Sequence, residues 1–262
     1  MSTAKRFNRL ELVQQLEQLP TISTSNSSQS LEEHDASYWM TSADTDRRNG
    51  QYDNALRHYS RALELDRSLV PGWLGQIQML ILLEEYPEAE LWARKALELF
   101  RNHPGLLAGR SQAFCRTGDL RQAQALCDVS ISQQGQTAYC WVARGEIMLA
   151  RRDPVEQYCF DKALQIDADW LQNLEIAAIY LHYSLPAKAL IHCRSAVEKS
   201  PAHPYCWYVQ GSVELTLSLT RPAENSFRRC LELKPNHADA HRALGNLHKG
   251  RGFFSRLLRR HT

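Results

Sequence analysis

A chain of 262 residues with 44% hydrophobic and 23% charged residues is not a wholly disordered polymer. A formal net charge of +2 leaves no global basic footprint, which argues against a nucleic-acid partner. Seven cysteines, an odd number with no C-x-x-C pair, exclude the common zinc and redox spacings and point to buried free thiols in a reducing compartment.

Taken in chain order, residues 1–19 predict an N-terminal amphipathic helix, with Phe7, Leu10, Val13 and Leu16 on one stripe. The first twenty residues lack the apolar core of a signal peptide, and no run approaches the length of a membrane span, so a cytoplasmic location is expected. Residues 20–35 are rich in Ser, Thr, Asn and Gln and predict a flexible linker.

From Ala36 onward the chain repeats itself. Trp39, Trp73, Leu107, Trp141, Leu174, Trp207 and His241 recur at steps of 34, 34, 34, 33, 33 and 34 residues. Four positions later come Ala43, Ile77, Ser111, Gly145, Ala178, Gly211 and Gly245, mostly small residues that let two helices approach. A second half-unit carries Ala55, Ala89, Ala123, Ala189 and Ala223, with Glu156 the exception in the fourth copy. It also carries a larger series, Tyr59, Ala93, Cys127, Phe160, Cys193 and Phe227, and a third, Ala62, Ala96, Ser130, Ala163, Ala196 and Cys230. The third series shares the two 33-residue steps of the first, which places one-residue deletions in 151–156 and 182–187. Pro154 and Pro186 are expected to start the second helix in those two units.

This pattern resembles the tetratricopeptide repeat, a pair of antiparallel helices in 34 residues. The resemblance implies an all-α fold: a right-handed α-solenoid of stacked antiparallel helix pairs. It implies six units over 36–237, a C-terminal capping helix over 238–250 and, beyond it, a basic amphipathic tail over 251–262. It also implies that the first helix of each unit lines a concave groove. Carried over position by position, the partner-facing residues are Arg47 and Arg48 in the first unit and Leu74 and Gln78 in the second. Gln112 and Arg116 follow in the third, Tyr139, Val142 and Glu146 in the fourth, and Tyr205, Tyr208 and Ser212 in the sixth. For Val142, packing against a neighbouring unit is the equal alternative.

The sequence holds no catalytic constellation. Phosphate-cradling glycine loops, a G-x-S-x-G elbow and an H-E-x-x-H pair are all missing. His237 and His241 sit at i, i+4 but lack a third ligand, so no metal and no cofactor are expected. The expected function is a non-enzymatic scaffold that binds peptide or helical segments of partner proteins in the groove. The alternative is a regulatory or assembly subunit of a bacterial envelope machine. Its tail would then touch an anionic membrane surface through Arg256, Arg259 and Arg260.

Overall fold

The computed structural model describes residues 34–247; the expected N-terminal helix, most of the linker, the end of the capping helix and the basic tail lie outside the described residues. Within them the chain is helical, with no strand among the described residues. Six hairpins follow one another, each an A helix and a B helix. Unit 1 is α1 (Ala36–Arg48) and α2 (Tyr52–Leu65); unit 2 is α3 (Val70–Leu82) and α4 (Tyr86–Leu99); unit 3 is α5 (Pro104–Thr117) and α6 (Leu120–Ser132). Unit 4 is α7 (Ala138–Ala150) and α8 (Glu156–Ile166); unit 5 is α9 (Trp170–His182) and α10 (Pro186–Lys199); unit 6 is α11 (Pro204–Thr216) and α12 (Thr220–Leu233). A thirteenth helix is described over 238–247.

Local chemistry sets the helix ends. Asp35 caps α1 by accepting the Tyr38 amide at 2.9 Å, and that bond holds the Asp35 carboxyl below the usual carboxylate range. Asp119 caps α6 in the same way, through the Gln122 amide at 3.0 Å. Proline opens α3, α4, α5, α10 and α11 in the first turn, where a missing N–H costs nothing. Pro154 does not open α8. It lies in a turn in which Asp153 Oδ1 accepts the Val155 amide at 3.0 Å, and the helix starts only at Glu156. That is a correction to the expected start, and it leaves α8 as the shortest of the twelve helices at 11 residues.

The B helices bury their alanine stripe completely: Ala55, Ala89, Ala123, Ala189 and Ala223 are all fully buried. Glu156, which breaks the stripe, is itself buried and pairs with Lys188 at 2.8 Å. Ser130 stands in the small-residue series and satisfies its hydroxyl on the Pro104 carbonyl at 2.8 Å. Two of the repeated tryptophans tie their unit to the junction before it, since the indoles of Trp73 and Trp207 donate to the carbonyls of Arg67 and Pro201. The core therefore runs as a chain of clusters shared by neighbours rather than as one central mass.

A candidate protein-interaction groove

The A helices face one another across the array. On α5, Gln112 donates to the Glu146 carboxylate of α7 at 2.5 Å, and Tyr139 donates its hydroxyl to Gln112 Oε1 at 2.7 Å. Arg116 forms an ion pair with the same carboxylate, with the two side chains only 7% and 0% exposed. Tyr183, just beyond α9, reaches Glu146 at 3.4 Å and the Cys115 sulfur at 3.5 Å. One buried polar network thus joins units 3, 4 and 5.

Its electrostatics follow from burial. Desolvation works against the Arg116 charge, yet the Glu146 carboxylate beside it holds the guanidinium pKa above its ordinary value. Burial, and then the same carboxylate, push the Cys115 thiol up to about 12. Burial raises the Tyr139 phenol well above its ordinary value, helped by the charges of Glu146 and Glu175.

A second set of contacts joins the ends of the array. Arg47 pairs with Glu175 on α9, with Nε donating to Oε1 at 3.0 Å. Arg48 holds both oxygens of Asp169, the N-cap of α9, from Nη1 at 3.1 and 3.0 Å. The Arg48 guanidinium also lies 5.2 Å from the Trp170 ring centroid. Tyr52, at the start of α2, shares a 2.9 Å hydrogen bond with Tyr205 of α11. The Tyr205 ring presses on Gly50, where a Cβ would overlap it. Burial is the main reason that both phenols titrate above their ordinary range.

The expected partner-facing residues therefore divide. Gln112, Arg116, Tyr139 and Glu146 come together, but as partners of one another. Val142 is 2% exposed and belongs to the core. Gln112, Val142 and Glu146 are buried, a difference from the open lining expected for them. Arg47, Arg48 and Tyr205 meet residues of distant units. Leu74 is half-buried over Gly105, and Gln78 is half-buried on α3. Tyr208 stacks on Tyr205, with centroids 6.3 Å apart, and lies 4.8 Å from His237; its carbonyl accepts from Ser212 Oγ at 2.9 Å.

Sequence reasoning missed Tyr52, Tyr86, Asp169, Trp170 and Tyr183. A signal existed for two of them: Tyr52 and Tyr86 open their B helices in neighbouring units at the same offset, and both turn inward, Tyr86 onto the His182 ring at 6.4 Å. Among the described residues no group of three His, Cys, Asp or Glu side chains converges as a metal site, and no helix is long and apolar enough to cross a membrane.

Stacked A–B hairpins with a shared, linear core define a helical-repeat solenoid. A family model described as the tetratricopeptide repeat matches residues 40–105. The chain is similar to the TPR repeat-containing protein MJ1428 of Methanocaldococcus jannaschii, 23% identical over 202 residues. That match covers 72% of this chain and 35% of the relative, so the chain spans about a third of the relative's length. Among solved structures it is similar to an IFIT1 monomeric mutant with Gppp-AAAA, at 17% identity and a TM-score of 0.52, covering 80% of this chain and 52% of that one. That likeness is one of fold. The chain is also similar to TTC0263, a thermophilic TPR protein in Thermus thermophilus, at 13% identity and a TM-score of 0.48, covering 81% and 98%. The family-model match and the curated relative both support a tetratricopeptide repeat protein.

Proposed function

We propose that this chain is a non-enzymatic protein-interaction scaffold, whose inner, A-helix side takes an extended or helical segment of a partner protein. The observation that carries the reading is the composition of that side. It gathers Tyr52, Tyr139, Tyr205 and Tyr208 with Trp170, Arg47, Arg48 and Arg116, the residue types that dominate binding energy at protein interfaces. A solenoid holds such groups on rigid helices, so less ordering is needed on binding.

The test is affinity capture of partners, identified by mass spectrometry, with inner-side and outer-side variants compared. Tyr208→Ala and Gln78→Arg change half-buried inner positions. Both should reduce capture while helix content stays at the wild-type level. Tyr158→Ser, at an exposed position on α8, should leave capture unchanged. Loss of capture with Tyr158→Ser alone would move the binding surface to the outer side and refute the groove.

A further inference from the structure

The contact between unit 1 and units 5 and 6 differs in kind from every junction between neighbouring units. Neighbours share buried apolar clusters. The core of unit 1 is shared with units 2 and 3, whereas units 5 and 6 share theirs with unit 4. Among the described residues no apolar cluster joins unit 1 to unit 5 or unit 6. What crosses is polar: Arg47 with Glu175, Arg48 with Asp169, and Tyr52 with Tyr205. These pairs lie 128, 121 and 153 residues apart.

Such a contact is made to separate. The outer pair, Arg48 with Asp169, remains 38% and 32% exposed, so water competes for both and salt screens them, whereas the inner pair, Arg47 with Glu175, is 20% and 14% exposed. Opening uncovers the Tyr52 and Tyr205 rings but divides none of the apolar clusters, and each polar group that it frees can be hydrated. Meanwhile the apolar cores run from each unit to those next to it in the array, so small rotations at each junction add up along the array into a large displacement of unit 1 from unit 6. The contact also contains one close approach of backbone to a ring. Gly50, at φ +71°, carries no side chain where the Tyr205 ring lies.

We infer that unit 1 is a latch: it closes the inner groove against units 5 and 6, and the array exchanges between this closed form and an open form in which Tyr205, Trp170 and the two arginines face solvent. That the open form is the one that takes a partner rests on the groove reading above. The latch itself needs no partner. It also explains how inner residues that are engaged with each other can serve as a binding surface, because the same groups are released together.

Small-angle X-ray scattering of the full chain tests it, with no partner present. Glu175→Arg places a cation against Arg47 and should raise the radius of gyration while circular dichroism keeps the wild-type helix signal. The swapped pair Arg47→Glu with Glu175→Arg restores opposite charges and should return the smaller radius. Wild-type protein should expand in the same direction between low and high NaCl. An unchanged radius in Glu175→Arg overturns the latch, as does an expansion that the swap fails to reverse. Should Glu175→Arg lose helix content, the wild-type salt series and Tyr52→Phe, which removes one hydroxyl, decide in its place: no expansion in either overturns the proposal. Because the radius is read on the free chain, failure here leaves the groove reading standing, and failure of partner capture leaves the latch standing.

Discussion

The Phe227 ring fills the place that a side chain on Gly211 would need: a Cβ there would lie 2.8 Å from Cε1. Phe160 stands in the same relation to Gly145 in unit 4, and both rings are fully buried. Small residue on the A helix and large ring on the B helix are thus two halves of one fit. In unit 2 the order is reversed, with Ile77 and Ala93 both fully buried in one cluster. Gly211→Ala should therefore destabilise the array by about 1–3 kcal/mol through overpacking. Phe160→Ala should cost about 3–5 kcal/mol through the cavity it leaves. Urea unfolding followed by circular dichroism measures both.

Arg116 and Glu146 form the most deeply buried ion pair among those described. Replacing Arg116 by Met strands a carboxylate that is 0% exposed and should cost about 3–5 kcal/mol. Replacing both, as Arg116→Met with Glu146→Leu, should recover part of that loss, because it removes the unpaired charge but leaves the buried Gln112 amide without its acceptor. A double-mutant cycle in urea gives the coupling, and a double variant as unstable as the single one would contradict this account.

Every turn between an A and a B helix contains one residue at positive φ. Gly50 and Gly118 fill it in units 1 and 3, but Glu84, Arg152, Ser184 and Ser218 fill it in the others. A side chain is strained in that conformation, whereas glycine is not, although glycine loses more entropy on folding. Glu84→Gly and Arg152→Gly should each raise stability, by up to about 1 kcal/mol. A thermal melt at constant buffer composition checks the sign.

All seven cysteines are buried. Burial pushes the thiols of Cys115, Cys127, Cys193 and Cys206 up to about 12 and that of Cys230 up to about 11. At pH 8 a thiol near 12 carries about a thousandfold less thiolate than a free cysteine. Titration with a thiol-reactive dye should therefore be slow in the native protein and should reach seven equivalents in denaturant. Rapid labelling of one native thiol would show a local opening at that site.

His192 is 7% exposed and stacks on Tyr180 with centroids 5.5 Å apart. Burial lowers its pKa to about 4 from an ordinary 6.5. Between those values the unfolded chain binds the proton and the folded one does not. Stability is therefore full above pH 6.5 and falls as the pH drops towards 4, by up to about 3 kcal/mol from this group. Burial lowers His103, His182, His203 and His237 as well, in the same sense. His192→Gln should flatten, but not abolish, the acid dependence of the urea midpoint.

The repeat was legible because its causes are local. A step of 34 or 33 residues returns the same side chain to the same face, and the fit of Gly211 to Phe227 involves residues only 16 apart. Proline placement at α10 was equally plain, since a first helical turn tolerates it wherever it occurs. Pro154 misled because the Asp153 turn competes for the same residues, a contest that periodicity does not register.

The inner side was legible only as positions. That Tyr139, Arg116 and Glu146 share one face follows from helical spacing; that they satisfy one another does not. Tyr205 and Tyr52 show the limit most clearly. Each is placed by its own unit, yet their hydrogen bond depends on how the junctions between units 1 and 6 turn in succession. By itself the sequence determined the unit, its two helices, its small-to-large packing and the all-α solenoid, because those rest on contacts between near neighbours in the chain. Only the tertiary structure decided that the array winds until Arg47 and Arg48 reach Glu175 and Asp169, because that meeting is the sum of small rotations and no single stretch of residues encodes it.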